Sequence, residues 1–265
     1  MLVQLAAMLL LGQLVHSPTR ATGAEPAAPV LVLLHHSVWF SSVDRPWFIL
    51  YDDGTVIYPK DRERQIPLSY QRTRIVGKNI AQLLDQFDVQ NDYWRLDSIY
   101  DFAPMVTDQE TVFLLAWDGS RFRRVAVRAA LEENGSLSSK TPPAFKRVFD
   151  QIRGFHADSS SAWQPDTVEV AAWPYEYAPD NPPLQWRNDW PNLKTRGTRR
   201  IDDPYVKELY LMRFSYSLVP ALDSLLGRRR EKQAIAINGR KWSVGYRFLF
   251  PAEQRWRVHV HSLEQ

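Results

Sequence analysis

The chain has 265 residues, 45% hydrophobic and 24% charged, an ordinary globular composition with enough length for one large domain or two small ones. Its 33 basic and 30 acidic side chains leave a net charge of +3, a balance too even to imply nucleic acid as a partner. There is no cysteine, which excludes disulfides, thiolate metal sites and cysteine nucleophiles and leaves stability to core burial alone.

Leu2 to Val15 is mostly apolar, interrupted by Gln4 and Gln13. It is too short and too mixed to span a bilayer, which takes about 20 apolar residues. It fits the apolar region of a signal peptide, and the small residues Ala21-Thr22-Gly23-Ala24 place cleavage after Ala24. No lysine or arginine precedes the apolar run, so the terminal amine is its only positive charge. The expectation is an exported chain, periplasmic or extracellular, folding from residue 25 onward.

Ala27 to Leu34 is a short apolar run suited to a buried strand. Pro46 to Tyr51 and Thr55 to Pro59 flank Asp52-Asp53-Gly54, a strong hairpin signal because glycine takes positive φ without a Cβ penalty. Trp47, Ile49 and Tyr51 alternate with Phe48 and Leu50, so this strand is apolar on both faces and should be covered on both. Lys60 to Arg64 reads as a solvated loop, and Tyr70 to Val76 as a strand ended by Gly77.

Lys78 to Asp88 has one apolar stripe (Ile80, Leu83, Leu84, Phe87) and predicts a helix. Val89 to Thr107 reads as irregular. Thr111 to Trp117 and Arg121 to Arg128 predict a second hairpin around Asp118-Gly119. Glu132 to Thr141 is a serine-rich loop. Pro142 to Phe155 predicts a second helix, opened by two prolines and carrying Phe145, Val148, Phe149, Ile152 and Phe155 inward. Ala157 to Ala162 is small and polar, a joint if residues 25–157 and 163–265 form two subdomains instead of one domain.

Thr167 to Trp173 alternates as a strand, and Pro174 to Pro191 is rich in proline and tryptophan. Thr195 to Asp203 is polar and basic. Val206 to Phe214 reads as a strand. Ser217 to Leu226 reads as a third helix, stopped by Gly227. Gln233 to Ile237 and Lys241 to Phe250 predict a third hairpin around Asn238-Gly239, with Trp242, Val244, Tyr246, Phe248 and Phe250 on one face. Arg255 to His261 reads as a last strand. Hairpins outnumber βαβ units, so the expected class is α+β: antiparallel, hairpin-rich sheets packed with about three amphipathic helices. Strand, helix and hairpin occur in that order at Tyr70 to Arg128 and again at Val206 to Phe250, as an internal duplication would produce.

Three patterns could carry chemistry. Trp173, Trp186 and Trp190 stand in a proline-stiffened segment, where exposed indole faces would suit sugar rings or a partner's apolar surface; the alternative is that they pin the segment onto a sheet. Arg255, Arg257, His259 and His261 share one face of the expected last strand. That cationic stripe disfavours a metal and suits an anion; the alternative is a solvated edge strand. Asp52, Asp53, Asp101, Asp108, Glu110, Glu169 and Glu176 are the carboxylates available for general acid–base work, and no spacing among them selects a pair. No metal or cofactor is indicated. The serine-hydrolase elbow, P-loop, dinucleotide fingerprint and His-Glu-x-x-His are absent from the sequence.

Leu50-Tyr51-Asp52-Asp53-Gly54-Thr55-Val56-Ile57, Thr107-Asp108 before a strand, the two Trp-Pro pairs and the closing Arg247-Phe248-Leu249-Phe250-Pro251 together resemble a group of uncharacterised exported bacterial proteins, over most of residues 46 to 256. The resemblance implies bacterial export and a compact envelope or secreted domain. It implies no activity and carries over no site residue. The expectation is a non-enzymatic module that binds an envelope ligand or protein partner, with a hydrolase of an envelope polymer, using a carboxylate pair assembled by the fold, as the alternative.

Overall fold

The computed structural model describes residues 27–36, 45–61, 69–106, 109–131, 137–177, 181–201 and 208–260. The expected signal peptide with its cleavage site, residues 62–64 of the charged loop, Thr107, Asp108, residues 132–136 of the serine-rich loop, Val206 and His261 lie outside them.

Among the described residues, two sheets and four helices make an α+β fold. The first sheet contains β1 (Pro29–His36), β2 (Arg45–Tyr51), β3 (Thr55–Pro59), β4 (Tyr70–Arg74), β5 (Ile99–Asp101), β6 (Thr111–Trp117), β7 (Phe122–Arg128) and β8 (Ser161–Trp163). Its order is β5-β7-β6-β1-β2-β3-β4-β8, antiparallel except where the short edge strand β5 runs parallel to β7. The second sheet contains β9 (Thr167–Pro174), β10 (Leu184–Gln185), β11 (Arg199–Ile201), β12 (Leu209–Ser215), β13 (Ile235–Ile237) and β14 (Arg240–Phe248). Its order is β10-β13-β14-β9-β12-β11, with β10 parallel to β13.

Strands β1 and β2 are apolar on both faces because both faces are covered. Leu31, Leu33, Phe48 and Leu50 pack under α1 (Ile80–Asp85) and α2 (Pro143–Gly154), whose Leu83, Phe145, Val148 and Ile152 close that side. Val32, Leu34, Ile49 and Tyr51 face the other way. They join Val168, Val170, Met212, Phe214, Trp242 and Val244 of the second sheet in one buried cluster. The helices α3 (Val219–Gly227) and α4 (Gln254–Val260) contribute Leu222, Leu225, Trp256 and Val260 to that cluster.

The opening hairpin turns as its sequence requires. Gly54 has φ +81°, and a Cβ there would stand 2.0 Å from the Ile75 carbonyl oxygen. Asn79 caps α1 with a reciprocal box, its side chain accepting from the Gln82 amide while the Gln82 side chain accepts from the Asn79 amide.

Several expectations are corrected. Residues 254–260 form a helix, α4, instead of the last strand. The third helix begins two residues later than its expected cap. Ser215, not Ser217, caps a single 3₁₀ turn over Tyr216–Leu218, and α3 follows it. The irregular, the proline- and tryptophan-rich and the basic stretches contain the short strands β5, β10 and β11 in turn. The duplication is not carried into topology. In the first sheet the first strand of the hairpin, β6, adjoins β1; in the second the last strand, β14, adjoins β9.

Candidate ligand-binding groove

The groove is built by the way α4 is held against the first sheet. Tyr51 donates its hydroxyl proton to the Pro251 carbonyl at 3.1 Å. Burial, reinforced by the charges of Glu253 and Asp53, pushes that hydroxyl's pKa up, so it remains a donor. Glu253 then fixes the turn into the helix. One of its oxygens accepts from the Phe250 amide at 3.1 Å and the other from Arg247 Nη1 at 2.7 Å. Arg247 is itself locked, donating from Nε and Nη2 to Glu169 Oε1 at 3.0 and 2.5 Å; Arg199 donates to the other oxygen of Glu169 at 3.1 Å. Glu169 is 4% and Arg247 9% exposed, so the network is largely out of water. At the far end of α4, Arg124 Nη1 donates to the His259 carbonyl at 2.8 Å and ties the helix to β7.

Between α4 and the sheet lies a groove of about 510 Å³. Pro29, Val30 and Val32 of β1 line it, with Leu115 to Trp117 of β6 and Phe122 of β7. The helix adds Arg255, Trp256 and His259. Phe122 is 45% exposed and sets its ring 4.2 Å from that of His259. Burial and then the neighbouring Arg124 charge push the His259 imidazole below its ordinary pKa. Trp256 is buried, and its indole N–H has no hydrogen-bond partner among the described residues. Such an orphan donor is uncommon, because an unmet buried N–H costs about 1–3 kcal/mol.

The fold divides the residues singled out in the sequence. Arg255 and His259 line the groove, brought together by four-residue helical spacing and not by strand alternation. Arg257 turns instead toward Glu253, with Nη1 4.0 Å from Oε1. His261 lies outside the described residues. Trp186 and Trp190 are core side chains, 7% and 3% exposed, packed edge-to-face on each other and on Phe214. Trp186 also donates its N–H to the Pro191 carbonyl at 2.8 Å. Trp173 is half-buried in a separate cluster with Ala171, Leu209 and Leu211, so the three tryptophans form no common surface. Phe122, Leu115 and Trp256 are among the eight groove residues that the sequence did not single out for ligand binding.

Among the described residues the candidate carboxylates are engaged elsewhere, and none lines the groove. Asp52 accepts from the Ala28 amide, Asp53 from Thr55, and Asp101 from Arg128. Glu110 meets His35 at 2.7 Å, and Glu176 meets Arg240 at 2.8 Å. Asp108 lies outside the described residues. Asp92 and Asp189 are held below the usual carboxylate range by hydrogen bonds from Arg147 and Arg187. At Asp118 partial burial pushes upward but is outweighed by bonds from Arg121 and Ser120, so it too lies low. Among the described residues no group of three or more histidines and carboxylates could hold a metal, and no helix is long and apolar enough to cross a membrane. No family model matches the chain, and no curated protein or solved structure is significantly similar to it.

Proposed function

We propose that the chain is an exported, non-enzymatic binding module of a bacterial envelope, and that the groove beneath α4 is its ligand site. Export rests on the Leu2 to Val15 run and the small residues before Glu25. The observation that carries the ligand site is the groove itself. It has the volume of a small-molecule cleft, roughly 300–1,000 Å³, and an apolar lining. Among the described residues the lining holds no aspartate or glutamate, which favours binding over carboxylate-driven hydrolysis.

The test is a thermal-shift screen of the folded chain against fatty acids, cell-wall fragments and acidic glycans. A ligand at 100 times its dissociation constant stabilises by about 2.7 kcal/mol. Phe122→Ala removes one exposed wall and should abolish the shift without lowering the unliganded melting temperature by more than a few degrees. A ligand whose shift survives Phe122→Ala and Arg255→Ala unchanged binds elsewhere and overturns the groove assignment. Cleavage of any screened polymer overturns the non-enzymatic reading.

A further inference from the structure

The outer face of the second sheet gathers arginines around one carboxylate. Glu169 of β9 stands opposite Arg247 of β14 on one side and opposite Arg213 of β12 on the other. The three form a row across adjacent strands, on the face away from the buried Val168 and Val170. Glu169 is already committed: both Arg247 bonds end on one oxygen and the Arg199 bond on the other. Arg199 lies on β11 opposite Leu211, so its side chain crosses β12 beside Arg213 to reach that oxygen. It spends Nη2 there, and its side chain remains 60% exposed. Arg213 is exposed and makes no hydrogen bond or ion pair among the described residues, although directly opposite residues bring their Cβ atoms within about 5.5 Å.

Two guanidinium groups thus meet over one carboxylate that cannot neutralise both. Glu253 offers no second counter-charge, since Arg247 and the Phe250 amide take its oxygens and Arg257 approaches it at 4.0 Å. In the next row of the same face Thr167 stands opposite Ser215, and its hydroxyl has no hydrogen-bond partner among the described residues. The geometry points to a site for a phosphate group between Arg199 and Arg213, with the Thr167 hydroxyl as a further donor. The donors come from three strands and so from three directions, which suits a tetrahedral oxyanion better than a flat carboxylate. Guanidinium–phosphate bonds are charge-assisted and readily bidentate. Glu169, fixed from the other side by Arg247, orients Arg199 for the task. The site is separate from the groove beneath α4 and does not rest on it.

The experiment is calorimetric titration of the folded chain with inorganic phosphate and with glycerol 1-phosphate at constant ionic strength, with chloride as the control. Both phosphates should bind saturably and chloride should not. Arg213→Gln should weaken both about tenfold or more, the worth of one charge-assisted hydrogen bond. It should leave the unliganded melting temperature within about 2 °C, because Arg213 supports no other contact among the described residues. Arg213→Lys keeps the charge and loses the planar fork, so it should fall between. Phe122→Ala, in the groove, should change nothing. Tighter binding of the ester would make a phosphorylated molecule the source of the group, and tighter binding of inorganic phosphate the free ion; either supports the site. Absence of saturable binding, equal binding of chloride, unchanged affinity in Arg213→Gln, or loss in Phe122→Ala would each overturn it.

Discussion

Arg247 should be the side chain on which the placement of α4 depends. It is 9% exposed and spends all three guanidinium nitrogens on carboxylates, two on Glu169 and one on Glu253. Arg247→Met keeps the apolar stem and removes the charge. Glu169 is left buried with only Arg199, whose side chain is 60% exposed and whose pairing is correspondingly weak. Glu253 loses its 2.7 Å bond and with it the anchor for the turn at Phe250. Removing one partner of a buried pair typically costs about 3–5 kcal/mol, because the orphaned charge stays out of water. For a chain of this size that is a fall of about 6–20 °C in melting temperature. Urea unfolding of Arg247→Met and Glu169→Gln, singly and together, measures it. The double variant should lose much less than the sum of the singles, since each single change strands the other's charge. A loss under 1 kcal/mol for Arg247→Met, or full additivity in the double variant, would refute the argument that this network holds α4.

Other outcomes follow from the same packing. Trp186→Ala should cost about 3–5 kcal/mol by urea unfolding, because it empties a core site between Trp190 and Phe214. Gly54→Ala should cost at least about 2 kcal/mol by the same measure, from positive φ plus the approach to the Ile75 carbonyl. Gly77→Ala, at φ +75° with open space around it, should cost only the conformational part, about 1–2 kcal/mol. His259 is harder to protonate in the folded chain than in the unfolded one, so the unfolded state takes the proton first. Its contribution is present above an unfolded pKa of about 6.5 and is lost as pH falls through the lower folded value. Melting temperature against pH should therefore slope down below about 6.5, and His259→Gln should flatten that slope.

Much of the fold could be read from local chemistry. Asp-Gly and Asn-Gly marked the three hairpins because their glycines must take positive φ, and Gly54, Gly119 and Gly239 all do. The stripe at Phe145, Val148, Phe149 and Ile152 is buried as its spacing required. The strand expected over residues 255–261 failed for a definite reason. Trp256, Val258 and Val260 satisfy a period of two, but only Trp256 and Val260, four apart, are buried; Val258 is 62% exposed. The choice was made by Glu253, through the Phe250 amide and Arg247, and Arg247 is held by Glu169 on a strand 78 residues away in sequence. The short edge strands β5, β8, β10 and β11 were equally illegible, since two or three residues become a strand only when a distant partner supplies the ladder. Arg255 and His259 were named from the sequence, but the groove needs Phe122 and Leu115 from a hairpin more than a hundred residues earlier, and no local pattern signals that meeting.

The central claim is that ligand binds beneath α4 against Trp256. The most direct measurement is the indole N–H spectrum of the nitrogen-15-labelled chain during titration with a compound that the thermal-shift screen returns, with Trp256→Phe assigning one signal among the ten tryptophans. The Trp256 signal should move as ligand packs against α4, and the signals of buried Trp186 and Trp190 should stay in place. A titration that moves Trp186, Trp190 or Trp173 and leaves Trp256 fixed would contradict it.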